Sequence, residues 1–126
     1  MINKNSIERF RNKPIDERIN KFTNLQHNNP NKIPIIFEKH RRSKMDDELG
    51  DVKFISTRNI KLNEFIKQPR KTWKLKDDSS LFFSCKNKAI LKPDVLIGEL
   101  YDQDKDEDGY LYIQYREVET FGGSGF

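Results

Sequence analysis

The chain has 126 residues, enough for one domain around one core, so a second independent core is not expected. Only 34% of the residues are hydrophobic and 35% are charged, yet nine Phe, four Tyr and one Trp can bury a large apolar area, and a lean but foldable domain is expected. A single cysteine, Cys85, excludes an intramolecular disulfide framework, fits a reducing compartment and, with only His27 and His40 beside it, leaves a Cys/His zinc site short of ligands, while the net charge of +4 leaves binding to acidic partners open.

Residues 6–12 suit a short helix that Pro14 separates from the next element. Asp16 then offers an N-cap, and Ile15, Ile19, Phe22 and Leu25 repeat at helical spacing, predicting an amphipathic helix with one buried face that runs to about His27. Asn28 to Asn31 make a turn. Ile33 to Lys39 is short and β-branched, with Pro34 near its start, where a missing amide proton costs least. Arg41 to Gly50 reads as a charged loop, and Val52 to Ser56 as a second strand returning antiparallel.

Ile60 to Lys67 reads as a helix with Phe65 and Ile66 as its apolar residues, which Pro69 should end or kink. Leu81 to Cys85 is an apolar run fit for a buried strand, with Asn87 turning the chain. Asp94 is a plausible N-cap for a helix from Val95 to Tyr101, and Tyr110 to Tyr115 alternates as a strand should. The order is helix, helix, strand, strand, helix, strand, helix, strand. It predicts an α+β fold, with the element order of a ubiquitin-like β-grasp and two additional N-terminal helices, although order alone leaves other α+β folds open.

Charge is unevenly distributed: residues 1–44 hold eleven basic against four acidic side chains, residues 45–95 eleven against eight, and residues 96–126 two against eight. Solvated basic and acidic faces account for this, and a basic surface for acidic peptides, anionic lipid or nucleic acid is the sharper reading. The first ten residues hold no signal-length apolar run, and no stretch approaches the roughly 18 apolar residues of a membrane span. A soluble chain is expected, with membrane association arising from a surface or a modification.

Candidate chemistry is sparse. Asp104, Asp106, Asp108 and Gly109 match the first half of a calcium-binding loop, but position twelve is Tyr115 rather than a bidentate Glu, and an acidic turn opening a strand fits better. Cys85 ends an apolar run without a partner base and reads as a buried structural thiol. Asp46/Asp47 and Asp77/Asp78 lie in polar segments where solvated acids are commoner than catalytic dyads. Lys67, Arg70, Lys71, Trp73 and Lys74 interleave cations with a ring, but no nucleic-acid recognition element accompanies them and no nucleic acid is expected as partner. Nothing here assembles an active site. The segment after the last strand, Glu119 to Phe126, lacks apolar periodicity, and its glycines suit an extended tip that can thread a narrow enzyme channel.

Three segments, Asn29 to Lys39 (NPNKIPIIFEK), Lys105 to Tyr115 (KDEDGYLYIQY) and Glu119 to Gly123 (ETFGG), resemble the autophagy-related ubiquitin-like modifiers, the family of microtubule-associated light chain three and the GABA-receptor-associated protein. The resemblance is collinear from about Ile15 to Gly122. It implies an N-terminal helical extension (1–28) packed on a β-grasp core (29–118), a flexible tail with a processing site (119–126), no cofactor and a non-enzymatic role. It further implies that a cysteine protease cuts after Phe121-Gly122, and that activating and conjugating enzymes carry Gly122 to the amine of phosphatidylethanolamine. The cytoplasmic chain would thereby reach autophagosomal and other cytoplasmic vesicle membranes. Gly123 leaves cleavage one residue later as an alternative.

The same resemblance implies recognition of cargo receptors through short motifs, an aromatic residue and an aliphatic one three places on, added as a strand beside the second strand. The aromatic pocket would comprise Leu25, Pro34, Ile36, Lys53, Ile55 and Tyr110, with Lys21 and Lys32 at its rim. The aliphatic pocket would include Phe54, Ser56, Thr57 and Phe65, some of them shared with the core. Departures from the family pattern at Asp51, Val52, Ser56, Thr57, Pro69 and Thr72 imply an altered peptide preference. A ubiquitin-like protein modifier, or a peptide-binding adaptor that never meets lipid, is the alternative.

Overall fold

The computed structural model describes residues 9–41, 51–72, 81–86 and 88–117. The beginning of the first predicted helix, Trp73, Asn87 and the processing site at Phe121 and Gly122 lie outside them. A single 3-10 turn, Phe10–Asn12, leads into α1 (Ile15–Asn28). Strand β1 (Ile33–Lys39) and strand β2 (Val52–Ser56) come next, then α2 (Leu62–Phe65), α3 (Lys67–Thr72), β3 (Leu81–Ser84), α4 (Ile97–Asp104) and β4 (Leu111–Glu117).

The four strands form one mixed sheet in the order β2-β1-β4-β3. The first and last strands lie parallel at its centre, Ile35 opposite Leu111 and Phe37 opposite Ile113, while each outer strand pairs antiparallel with its neighbour. A parallel central pair requires a long crossover, and the helical middle of the chain supplies it. Six of the seven β1 residues are buried, because a central strand covered on both faces has no solvent side. This is the α+β, ubiquitin-like arrangement, and the limits of β1 and β2 coincide with the sequence expectation. Pro34 faces Ile55 of β2, and pairing with β4 begins only one residue later, at Ile35, so the missing amide proton falls where the ladder is one-sided.

On one sheet face Ile33, Ile35, Phe37, Leu111, Ile113 and Tyr115 meet Leu62, Phe65, Ile97 and Leu100 from the helices. Phe37 is the hub, stacked on Phe65 at 5.9 Å between ring centroids and edge-on to Phe54 and Phe83. The other face is thinner: Ile36, Tyr110 and Tyr112 pack beneath Phe10, with Phe22 and Leu25 of α1 completing the layer.

Several local expectations need correction. Helix α1 begins at Ile15, and it is Pro14, not Asp16, that precedes it, its carbonyl accepting the Arg18 N–H. Proline presets the backbone for the first turn, and Asp16 instead sits inside that turn, where a carboxylate still favours the helix dipole. No residue of α1 is fully buried and Ile19 is 39% exposed, because the helix lies against a narrow sheet face. The helix expected from Ile60 to Lys67 is split at Ile66. A proline ring clashes with the carbonyl four residues back, here Phe65, and α2 ends there, while Pro69 occupies the first turn of α3, where no amide proton is required. Leu62, absent from the expected apolar set, is 1% exposed. β3 is an outer strand with only Phe83 buried, and Phe82 points outward, 39% exposed. α4 starts at Ile97 after Leu96, so Asp94 is not its cap, and β4 runs from Leu111 to Glu117, starting one residue later and ending two residues later than expected.

Candidate functional site

α1 is held over the sheet by a charged clasp. Arg18 donates to Asp108 Oδ2 at 2.8 Å, the Tyr112 hydroxyl donates to the same oxygen at 2.5 Å, and the Tyr110 N–H donates to Oδ1 at 2.9 Å. A fully buried carboxylate is tolerable only with such saturation. Burial and the Asp108 charge push the Tyr112 phenol upward, so it remains a donor at neutral pH. Gly109 closes the turn at φ +95°, and a Cβ there would lie 2.5 Å from the Phe22 ring, so glycine alone lets the ring sit down on the turn. The acidic turn thus divides its carboxylates among different cations: Asp108 takes Arg18, Asp104 takes Lys88, and Asp106 faces both Arg11 and Arg18.

The segment before α1 is fastened next to it. Asp51 accepts the Phe10 N–H at 2.8 Å and the Arg9 guanidinium at 3.0 Å. Arg11 makes a bidentate pair with Glu38 and lies 4.0 Å over the Tyr112 ring; the bond to Glu38 raises the guanidinium pKa further. Phe10 is consequently 3% exposed, edge-on to Tyr110 at 4.9 Å, with the Lys53 ammonium 4.4 Å above its ring.

These fastenings leave a cleft of about 380 Å³ between α1 and β2, lined by Lys21, Leu25, Lys53, Phe54, Ile55 and Tyr110. Tyr110 forms its buried wall, Leu25 the helix side, and Ile55, 41% exposed, the strand side. Desolvation, with the nearby charges of Lys21 and Lys13, lowers the Lys53 pKa, and Asp51 and Glu17 oppose the shift. β2 is the outer strand of the sheet, and among the described residues nothing pairs with its far edge. The opening can therefore take an aromatic or aliphatic side chain, an extended backbone alongside β2, and negative charge near the two lysines.

Of the residues expected around an aromatic pocket, Lys21, Leu25, Lys53, Ile55 and Tyr110 come together. Ile36 and Pro34 are buried in β1, beneath rather than on the opening, and Lys32 is exposed just ahead of β1 without lining the cleft. The residues expected around an aliphatic pocket are engaged otherwise: Phe65 is 5% exposed and stacked on Phe37, Phe54 is edge-on to both rings while also bordering the first cleft, Ser56 is buried with its hydroxyl donating to the Thr57 carbonyl, and Thr57 is exposed. Alternation in β2 turns Phe54 to the core face, opposite to Lys53 and Ile55. Sequence reasoning missed Phe10 and Asp51 as the parts that fix Lys53. The signal was a lone aromatic beside two arginines in a segment otherwise polar. It also missed an apolar groove of about 320 Å³ between the α2–α3 pair and β3, bordered by Leu62, Ile66, Leu81, Phe83 and Pro93 among others.

A β-grasp sheet with an N-terminal helix clasped over one face, and a cleft at the open edge of β2, defines a ubiquitin-like protein with an added N-terminal arm. The profile of the family described as "Autophagy protein Atg8 ubiquitin like" matches residues 17–122. The chain is 32% identical over 111 residues to autophagy-related protein 8b of Arabidopsis thaliana, covering 88% of this chain and 89% of the relative. It is 30% identical over 93 residues to human microtubule-associated protein 1 light chain 3 gamma, covering 74% and 63%. The crystal structure of Trypanosoma brucei ATG8 superimposes with a TM-score of 0.74 at 25% identity, covering 93% of this chain and 96% of that one. The chain belongs to the Atg8 family of ubiquitin-like autophagy proteins.

Proposed function

We propose that this chain is a ubiquitin-like modifier that acts through Gly122 and through the cleft beside β2. A cysteine protease cleaves after Phe121-Gly122. The activating enzyme adenylates the new glycine carboxylate with ATP, releasing pyrophosphate; its cysteine displaces AMP to form a thioester, which exchanges onto the conjugating enzyme's cysteine, and the amine of phosphatidylethanolamine then attacks the thioester carbonyl, forming an amide and expelling the thiolate. The chain performs no catalysis itself. It works in the cytoplasm until the lipid adduct holds it on autophagosomal and other cytoplasmic vesicle membranes.

The observation that carries the recognition half is the cleft: an apolar opening walled by Leu25, Ile55 and Tyr110, flanked by Lys21 and Lys53, at a strand edge that among the described residues is open. It suits a cargo-receptor motif whose aromatic residue enters the cleft, whose backbone extends β2, and whose acidic flank meets the lysines. The aliphatic residue three places on meets the packed Phe54 and Phe65 and the polar Ser56 and Thr57, which argues for a preference shifted from that of relatives with a more apolar second site.

Titrating a Trp-x-x-Leu peptide with an acidic flank into the labelled protein tests this by NMR. Shifts confined to α1, β2 and Tyr110, with weaker binding than to the Arabidopsis relative, are expected. Shifts elsewhere would overturn the site, and affinity equal to the relative's would overturn the altered preference.

A further inference from the structure

A second cationic surface lies on the α1 side of the sheet, beyond the helix itself. A shallow groove of about 620 Å³ crosses the ends of β1, β4 and β3, bordered by His40, Arg41, Lys86, Lys88 and Arg116 with Gln114 on its floor. The sheet register places these residues side by side: Lys39 pairs with Tyr115, the His40 N–H donates to the Tyr115 carbonyl, and Ser84 pairs with Gln114. Arg116 is one of only two basic residues in the acidic stretch 96–126, so this cluster is not the average charge of its segment.

Among the described residues no carboxylate lines the groove, and the two bonded to its lining residues are engaged. Asp104 is taken by Lys88, and Glu38 by Arg11 and by the Gln114 amide at 2.6 Å. Among the described residues, none of the salt bridges involves Arg41, Lys86 or Arg116. Arg41 and Lys86 are exposed and Arg116 is half-buried around one concavity.

We infer that this groove is a docking surface for a bilayer leaflet bearing anionic glycerophospholipid headgroups. Charge complementarity is the first reason, since clustered Lys and Arg are drawn to an anionic leaflet. Position is the second. Gly122 lies six positions after Arg116, so however the chain runs the two are within about 20 Å of each other. The inference rests on the conjugation reading for bringing this end of the domain to a bilayer. Once Gly122 is joined to a lipid, the groove lies within reach of neighbouring headgroups and fixes how the domain stands, leaving the β2 cleft available.

The test uses the full, unconjugated chain and contains no phosphatidylethanolamine, so it reads the surface independently of conjugation. Co-sedimentation is measured with vesicles of phosphatidylcholine alone and of phosphatidylcholine with phosphatidylserine. Binding to the anionic vesicles only is expected, and each neutralised groove cation should lower partitioning about fivefold, so that the Lys86→Gln/Arg116→Gln double variant falls about thirtyfold. The matched Lys21→Gln/Lys32→Gln variant, with the same net charge, should fall by less than threefold. Thermal melts establish that both variants remain folded, and Lys86→Gln alone, at an exposed position, supplies the fivefold step should the double variant not fold.

Equal losses in the two double variants would reduce the effect to net charge and overturn the proposal. So would absence of vesicle binding, whether or not a polyglutamate peptide, standing for an acidic protein segment, shifts the groove residues. Loss of a Gly122 adduct in cells with vesicle binding intact would count against the conjugation reading alone.

Discussion

Replacing Gly109 by alanine tests how α1 is held on the sheet. At φ +95° a non-glycine residue costs about 1–2 kcal/mol in backbone strain. The added methyl would also stand 2.5–2.6 Å from three carbons of the Phe22 ring, so the ring must retreat by roughly 1 Å to reach ordinary contact distance. Retreat opens the edge-on contact of Phe22 with Tyr110, now 6.0 Å between centroids, worth about 0.5–1.5 kcal/mol. It also returns part of a half-buried aromatic side chain to water, at about 1 kcal/mol. The expected loss is about 3–4 kcal/mol, or a fall in Tm of roughly 12–16 °C for a domain of this size. Because Lys21 and Leu25 ride on the same helix, affinity for a cleft peptide should fall with it. Urea unfolding and peptide calorimetry on the wild type and on Gly109→Ala read both effects. A variant within 1 kcal/mol of wild type, by the standard of an ordinary surface substitution, and with unchanged affinity would refute the claim that the turn seats the helix.

Other contacts carry their own expected outcomes. Asp108→Asn keeps the shape but removes the charge that Arg18 and Tyr112 address, and should cost about 3 kcal/mol in urea unfolding. Asp51→Ala frees the Phe10 N–H and Arg9, lowering stability by about 1–2 kcal/mol and loosening Lys53 over the Phe10 ring, which NMR would show as lost upfield shifts of the Lys53 methylenes. Ile55→Asp, at a position 41% exposed, should weaken a cleft peptide at least tenfold in calorimetry while moving Tm little. Burial pushes the Cys85 thiol from 9.0 up to about 12; above pH 9 the unfolded chain ionises this group while the folded chain does not. Stability from this thiol is therefore complete below pH 9 and declines at about 1.4 kcal/mol per pH unit up to about 12, a contribution that Cys85→Ala should subtract in urea titrations while the raised Tyr101, Tyr110 and Tyr112 phenols keep theirs.

Strands β1 and β2 were legible because they are short β-branched or aromatic runs between turn-forming residues, and their limits coincide with the structure. Helix starts were less so. The N-cap rule pointed to Asp16 and Asp94, whereas the helices begin after Pro14 and Leu96, with backbone and tertiary contacts replacing a side-chain cap. Pro69 was read correctly as incompatible with a continuous helix, but its clash falls one turn earlier, at Phe65, leaving the proline to open the next turn. Which face each strand residue meets depends on register. Phe54 therefore could not be assigned to the core by periodicity alone, and the outward turn of Phe82 was hidden within an apolar run. Contacts across some 40 positions, such as Arg9 and Phe10 with Asp51, leave no local trace in the chain. They become visible only when the sheet brings β2 beneath the N-terminal segment.

The central claim is that Gly122 becomes the point of attachment to lipid. Intact mass of the protein recovered from its native cytoplasm, with soluble and membrane fractions measured separately, tests it most directly. The account predicts a soluble form ending at Gly122 and a membrane form heavier by one phosphatidylethanolamine. A chain ending at Phe126 in every fraction would contradict it and leave a peptide-binding ubiquitin-like adaptor.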